Sequence, residues 1–365
     1  MNRLIIIGNG FDLAHKLKTS YEDFINWYLE QRLNTLLTEH TTVSKDGLCD
    51  FFIENKKDYP NWLSFFFTNS FRNSINGSWK YPPLEIIDYL KSDTNNFSVL
   101  QSTFFEKILH SIETKGWVDI ENTYYALLKQ YINNKDYRHR VNDLNNQLDY
   151  IKGKLIEYLG TIEQAQVYPN YLEAMKAPFC PDDFSTEGKR KALDSIGLEA
   201  AIDEKCHPAQ TMLLSFNYTH TANNYGFPCI YIHGSLDKKE NIIFGYGDEL
   251  DNYYKELLDM NDNALLHHIK SVRYLETANY HKMLQFIQAA PFQVFIMGHS
   301  CGNSDRTLLN TVFEHDNCVS IKPFYHEWDD GTDNYLLLVQ NIARNFTNMK
   351  LYRDRVVNKT QCSTL

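Results

Sequence analysis

The sequence predicts an α/β protein with a doubly wound, mainly parallel β-sheet built from both ends of the chain and a large helical insertion between them. Three patterns support this fold class. The apolar run 4–7 leads into a glycine-rich turn, residues 20–205 show helical periodicity, and short apolar runs alternate with helical stretches after residue 206. A lone strand cannot bury both of its faces, so the first strand must join the distant C-terminal strands in one sheet.

The composition excludes several classes of protein. At 365 residues with 43% hydrophobic and 14% aromatic side chains, the chain can form a sizeable core and is not disordered. A net charge of -10 argues against a nucleic-acid partner. No apolar run reaches the roughly 18 residues that span a bilayer, so the sequence predicts a cytoplasmic protein without membrane partners.

Cysteine usage gives no sign of a metal centre. The seven cysteines include no C-x-x-C pair, so neither a disulfide framework nor a structural zinc site is predicted, and no metal is expected. The expected partners are small molecules or proteins.

The first strand and its turn are typical of nucleotide-binding folds. A continuous apolar run predicts a buried parallel strand, and Gly8 and Gly10 would let backbone N–H groups approach a phosphate. A dinucleotide fingerprint requires a third glycine where Leu13 stands, so an ordinary strand-to-helix turn is equally compatible with the pattern. Thr19 and Glu22 have the spacing of a capping box, which predicts a helix start.

The insertion, residues 20–205, is predicted to be helical with no strand. Residues 136–159 carry one apolar stripe, which predicts a surface helix or helical hairpin. Asp119 and Glu121 follow Trp117 and Val118 in the sequence. Residues two apart do not share a helix face, so a helix N-cap is the favoured role of Asp119.

The C-terminal part completes a Rossmann-like nucleotide-binding core made of residues 1–19 plus 206–365. Five apolar runs predict strands at 212–216, 229–232, 242–244, 294–297 and 319–321. Helical periodicity predicts helices at 279–290, 303–315 and 333–347.

Polar and glycine residues follow the predicted strands at the carboxyl edge, where open α/β sheets bind ligands. His233 can take up a proton near neutral pH, and Asn217 offers both a donor and an acceptor for a sugar hydroxyl or a water. Both are equally compatible with turn-stabilising roles. The candidates at these ends are Gly8, Asn9, Gly10, Phe11, Asp12, Asn217, Tyr218, Thr219, His233, Gly234, Asp248, Gly298 and Ser300.

One motif suggests a different chemistry. Residues 298–302 match the G-x-S-x-G nucleophile elbow, with Ser300 as nucleophile, and Asp316 and His326 follow in the order of a hydrolase triad. A hydrolase sheet needs several strand-helix units after the elbow, whereas only a short stretch of chain remains here. A glycine turn at the sheet edge is the alternative.

The motifs together resemble the bacteriophage abortive-infection AbiH family. They occur in order over nearly the whole chain, so the set is specific although no single motif is. The matching segments are residues 5–15, 117–121, 215–219, 231–234, 243–247 and 297–300 with Asp305.

The AbiH family is in turn similar to a distant branch of the sirtuin fold. This resemblance implies that Gly8 and Gly10 form the NAD-binding glycine turn, that Asn217 orders the nicotinamide ribose, and that His233 is the general base. Asp12 stands where that pattern has a serine, and Thr219 where it usually has an aspartate. By the same resemblance NAD contacts Gly8, Asn9, Gly10, Phe11, Asp12, Tyr218, Gly234, Gly298 and Ser300, with Asp119, Glu121, His15 and Asp248 behind them.

The implied function is antiphage defence by hydrolysis of NAD at the nicotinamide–ribose bond. Sirtuin deacetylases carry two C-x-x-C pairs that this chain lacks, so deacetylation is disfavoured. The helical insertion would sense a phage-derived trigger, form a homo-oligomer or act as a lid. The alternatives are a non-catalytic module that senses ADP-ribose or NAD, and a serine hydrolase that uses Ser300.

Overall fold

The computed structural model describes residues 1–39, 41–54, 59–73, 77–115, 119–163, 165–196 and 206–365. The chain forms two compact units. Unit 1 comprises Met1–Thr19 and Leu159–Leu365, and unit 2 comprises Ser20–Tyr158.

Strands and helices alternate along unit 1, whereas helices dominate unit 2. The β-strands in the described ranges are β1 (Asn2–Ile7), β2 (Val43–Ser44), β3 (Cys49–Ile53), β4 (Phe97–Gln101), β5 (Thr211–Ser215), β6 (Cys229–Tyr231), β7 (Phe292–Met297) and β8 (Cys318–Phe324). The α-helices there are α1 (Asn9–Ala14), α2 (Tyr21–Thr38), α3 (Tyr59–Ser70), α4 (Pro83–Ser92), α5 (Thr103–Lys115), α6 (Ile120–Tyr131), α7 (Tyr137–Leu159), α8 (Pro169–Lys176), α9 (Thr186–Ile196), α10 (Asn252–Asp259), α11 (Lys270–Arg273), α12 (Asn279–Ala289), α13 (Arg306–Phe313), α14 (Tyr335–Arg344) and α15 (Met349–Arg355).

Unit 1 contains a five-stranded, all-parallel sheet in the order β6-β5-β1-β7-β8. This confirms the predicted α/β class and the joining of the first strand to the C-terminal strands. Every residue of β1 is buried. Its side chains alternate between two apolar clusters, with Leu4 and Ile6 in one and Ile5 and Ile7 in the other, so both faces of the sheet are covered.

Two strand predictions were wrong. Residues 242–244 are not a strand but a buried loop that follows the 3₁₀ turn Leu236–Asn241. Unit 2 contains the antiparallel sheet β2-β3-β4, although no strand was expected there. In β3 the buried Cys49, Phe51 and Ile53 alternate with half-buried residues, which is the period-two signal of a half-buried strand.

The helical region begins with a capping box, as predicted, but one residue later in the sequence. Helix α2 has Ser20 as its N-cap, and Ser20 and Asp23 form the capping box in place of Thr19 and Glu22. The predicted amphipathic segment forms α7, so the structure has one helix there and not the helical hairpin that the sequence also allowed. Asp119 accepts a hydrogen bond from the Asn122 N–H, which confirms its role as the N-cap of α6. Trp117 and Val118 lie outside the described residues.

A buried polar network fastens the segment after α8 to the sheet. The Arg3 guanidinium, fully buried, donates to the backbone oxygens of Met175 and Ala177 and to Gln293 Oε1. Gln293 Nε2 donates to Asp183 Oδ2 at 3.1 Å, and Lys322 Nζ donates to Asp183 Oδ1 at 3.0 Å. Burial lowers the pKa of Arg3 to about 10, against an opposing effect of the Asp183 charge.

We expect Asp183→Ala to lower the free energy of unfolding by about 3–5 kcal/mol, because it leaves the largely buried Lys322 ammonium without its partner. Urea denaturation at pH 7 measures this loss. Glu187→Ala is the control, since the Glu187–Arg190 pair of α9 is exposed and should leave the midpoint unchanged. Equal midpoints for all three proteins would show that the network contributes nothing.

Candidate functional site

The carboxyl ends of the parallel strands bring four polar loops to one edge of the sheet. These loops follow β1, β5, β6 and β7. Because β1 lies between β5 and β7, the loop after β1 contacts the loops on both sides.

The glycine turn after β1 packs directly against the turn after β7. The Gly10 N–H donates to Gly298 O at 2.7 Å. A Cβ atom on Gly8 would lie 2.5 Å from the Cα of His299, and Gly298 has a φ of +74°. These glycines are therefore needed for close backbone packing, and the Gly10 N–H is already occupied. Asn9 is exposed and begins α1, whereas Phe11 is buried in the core.

The loop after β5 binds the same turn from the other side. Asn217 Nδ2 donates to Gly8 O at 3.0 Å, and Thr219 Oγ1 donates to Asp12 Oδ2 at 2.5 Å. Asp12 is buried, which raises the pKa of its carboxyl group, while the Thr219 hydrogen bond opposes that rise. Asn217, Asp12 and the glycine turn are thus in direct contact.

His233, after β6, belongs to a buried polar cluster centred on Asp305. His233 Nε2 lies 3.3 Å from Asp305 Oδ1 and 3.3 Å from the Tyr274 hydroxyl. The Lys270 ammonium lies 2.8 Å from Asp305 Oδ1, and His299 Nε2 lies 3.6 Å from Oδ2. The His233, Lys270, His299 and Asp305 side chains are all buried.

The charges of this cluster determine the protonation of its members. The Lys270 and histidine contacts hold the pKa of Asp305 well below its usual range despite burial. Burial lowers the pKa of His233 to about 4, with a further contribution from the Lys270 charge. At neutral pH, Asp305 is therefore a carboxylate and His233 is a neutral imidazole, which can accept a proton.

Phe216 connects the two groups of polar residues. Its ring centroid lies 5.2 Å from that of His233 and 4.2 Å from that of His299. His299 also lies against Gly8. The Asp305 cluster is therefore adjacent to the glycine turn and to Asn217.

The predicted glycine loop 245–248 has a positioning role beside this cluster. A Cβ atom on Gly245 would lie 1.9 Å from His268 O, so the loop and residues 268–270 run in close contact. The Lys270 N–H donates to Tyr246 O at 2.8 Å. Asp248 Oδ2 lies 3.3 Å from an Arg306 nitrogen, and burial raises the pKa of Asp248. The loop thus holds both Lys270 and the residue that follows Asp305.

Other predicted residues have partners that explain them structurally. His15 lies between the oxygens of Phe11 and Tyr225, each 2.6 Å from a ring nitrogen, and burial lowers its pKa. The Tyr218 hydroxyl donates to Ile243 O at 3.0 Å. Gly234 has a φ of +83°, and a Cβ atom there would lie 2.5 Å from Asn241 O.

Asp119 and Glu121 belong to unit 2. Asp119 caps α6, and Glu121 is buried in the first turn of that helix. The capping role accounts for Asp119 within this unit.

The three residues of the predicted hydrolase triad do not come together. Ser300 follows the carboxyl end of β7 and is exposed, whereas Asp316 precedes the amino end of the parallel neighbour β8. The seven residues of β8 separate the two edges by roughly 20 Å. His326 is exposed beyond the carboxyl end of β8, and its N–H donates to Asn334.

Sequence reasoning missed Lys270 and Tyr274 and gave no role to His299 or Asp305. Lys270 and Tyr274 lie in short helical turns that follow no strand. A search for polar residues directly after predicted strands therefore does not find them. His299 and Asp305 belong to the motif after β7, but the sequence does not show that the fold places His233 beside them. No local pattern singles out Lys270, since His268 and Arg273 stand close to it in the sequence.

A family model described as bacteriophage abortive infection AbiH matches residues 4–326. The match covers most of the chain, and the chain therefore belongs to the AbiH family, which suggests a role in phage abortive-infection defence. No curated protein and no solved structure matches it. Among the described residues, no helix has the length and apolar character needed to cross a membrane.

We expect His233 to make the protein less stable as the pH falls. Its pKa is about 4 in the folded protein and about 6.5 when unfolded, so the unfolded chain binds more protons between these values. Stability should fall by about 1.4 kcal/mol per pH unit in this window because of His233 alone. Urea denaturation of wild type and His233→Gln at pH 7, 6 and 5 measures the effect.

The variant provides its own control because every other titrating group is shared. As the pH falls, wild type should lose more free energy of unfolding than His233→Gln does. A difference that stays constant with pH would contradict a lowered pKa at His233.

Proposed function

We propose that this protein acts in phage defence by hydrolysing NAD at the bond between nicotinamide and ribose, with His233 as the general base. The main support is a neutral histidine held against a buried carboxylate at the carboxyl edge of a parallel sheet. His233 has that position, beside Asp305 and near the glycine turn. Family membership supports the defence role, and the resemblance to sirtuins suggests NAD.

The proposed reaction needs no group beyond water and NAD. The bond from C1′ of the ribose to the nicotinamide nitrogen breaks, and nicotinamide leaves with the bonding electron pair. A water molecule forms the new bond to C1′ and gives its proton to His233, so the products are ADP-ribose, nicotinamide and a proton. Asn217 would orient the ribose or the water, since its amide lies at the same edge.

The pair formed by Asp12 and Thr219 supports the sirtuin-like interpretation. The resemblance places a serine at position 12 and an aspartate at position 219, whereas this chain has Asp12 and Thr219. The hydrogen bond between these positions therefore joins a hydroxyl to a carboxyl group, but the carboxyl group is at position 12 and the hydroxyl is at position 219. The exchange keeps the turn after β1 joined to the loop after β5.

A second candidate is a non-catalytic module that binds ADP-ribose or NAD and signals through the other unit. Two observations favour it. His233 is only 3% exposed, and the Gly10 N–H is already engaged by Gly298. A sensor would need ligand binding without a reaction, whereas an enzyme must bring the C1′ atom and a water to the base.

We expect purified wild type to convert NAD to ADP-ribose and nicotinamide, and His233→Ala to be about 10²–10⁴-fold slower because it lacks the general base. Asn217→Ala should also be slower. Chromatography of the products measures the rates, and the same proteins are tested in bacteria before and after phage infection. His281→Ala is the control, because this histidine is exposed on α12 and should leave the rate unchanged.

The two candidate functions give different results in this assay. If wild-type cells resist phage while their NAD stays constant, the hydrolysis proposal is wrong and the defence role remains. Calorimetric binding of ADP-ribose without NAD loss would then support the sensor.

We expect the exchange Asp12→Ser with Thr219→Asp to preserve more stability than either single change. Thr219→Asp alone places two carboxyl groups together, and Asp12→Ser alone removes the carboxyl acceptor. The coupling energy should be about 1–3 kcal/mol, as for a hydrogen bond to a charged group. Urea denaturation of the four proteins measures it, and strictly additive changes would show that the two side chains do not interact.

A further inference from the structure

The Asp305 carboxylate contacts nitrogen donors from three separate chain segments. It ends the 3₁₀ turn Asn303–Asp305 and immediately precedes α13, and its side chain is 11% exposed. His233 follows β6, Lys270 begins α11, and His299 follows β7. All three nitrogen atoms point at its two oxygens, so one carboxylate joins segments that are far apart in the sequence.

The hydrogen bonds of His299 fix where its proton lies. Its Nδ1 accepts a hydrogen bond from the Cys301 N–H at 2.9 Å and therefore carries a lone pair. In the neutral ring the proton is then on Nε2, which faces Asp305 Oδ2. Both nitrogens of His299 are thus occupied, and this histidine cannot serve as a base without breaking a hydrogen bond.

The neighbours of His233 likewise determine which ring nitrogen carries its proton. Its Nε2 lies 3.3 Å from Asp305 Oδ1, an ionised oxygen that can only accept, and 3.3 Å from the Tyr274 hydroxyl, which can accept as well as donate. A lone pair on Nε2 would face the lone pairs of that carboxylate, so the stable neutral form has its proton on Nε2. The Nδ1 atom then carries the lone pair that can take up a proton.

We infer that Asp305 is a positioning residue, which holds His233 and His299 as Nε2–H tautomers and thereby makes Nδ1 of His233 the basic atom of the site. Lys270 keeps Asp305 ionised, so the cluster carries one positive and one negative charge and two neutral rings. The catalytic part of this inference depends on the proposed function, whereas the tautomers do not.

An amide cannot replace this carboxylate. In Asp305→Asn the new side chain would have one accepting oxygen and one donating NH₂ group. If the oxygen faces Lys270 and His233, the NH₂ group meets the Nε2–H of His299. If it is turned over, the NH₂ group meets the Lys270 ammonium and the His233 Nε2–H. Either orientation sets donors against each other, so a histidine must change its tautomer or its position.

The test is ¹⁵N–¹H correlation spectroscopy of the full-length protein labelled with ¹⁵N-histidine, without added NAD. His233→Gln and His299→Gln assign the two rings by the loss of their signals. We expect both rings to be neutral Nε2–H tautomers at pH 7, and Asp305→Asn to alter the pattern of at least one of them. Glu314→Gln is the matched control, since this carboxylate follows the other end of α13 and should change neither ring.

Asp305→Asn leaves Lys270 buried without its counter-charge and could therefore misfold, so a second variant repeats the test. The double variant Lys270→Met with Asp305→Asn removes both charges and should fold; there too we expect at least one ring to lose the wild-type pattern. An Nδ1–H tautomer or a protonated ring for His233 in the wild type at pH 7 would overturn the inference. So would wild-type patterns for both rings in a folded Asp305 variant. Because no NAD is turned over, an inactive protein with the expected tautomers would refute only the proposed function.

Discussion

Unit 1 is organised around the central position of β1. This strand is buried on both faces and hydrogen-bonded along both edges, by β5 on one side and β7 on the other. Its position leaves little space where the strand ends, and the turns after β1 and β7 approach so closely that Gly8 and Gly298 cannot carry side chains without displacing backbone. The same closeness brings His299 and Asn217 to the first turn of the protein.

The second constraint is electrostatic and concerns the buried cluster beside this turn. A carboxylate out of water is costly unless it is paired and hydrogen-bonded. Asp305 meets this requirement with one ammonium group and two imidazole rings. The arrangement keeps His233 neutral and oriented, which is the state that an acid–base site requires. The loop 245–248 contributes by holding Lys270 in place, so its glycines serve the site indirectly.

Much of the fold was accessible from the sequence because apolar periodicity reports burial. The strands of the parallel sheet formed where the apolar runs were continuous, at 4–7, 212–216, 229–232, 294–297 and 319–321. The prediction for the short run 242–244 failed, because the chain there follows the 3₁₀ turn Leu236–Asn241 and leads into Gly245, which packs against His268. The antiparallel strands of unit 2 were missed because they are short and lie among strongly helical segments.

Residue types and their local spacing were enough to establish the parallel sheet, the polar strand ends and the AbiH motifs. The same patterns singled out His233 and Asn217 as candidates. Which of these groups interact became known from the folded chain alone, because Lys270, Tyr274 and Asp305 come from segments that carry no common local pattern. Their roles arise from one buried carboxylate that must be neutralised, and burial and distance across the fold cannot be read from a linear chain.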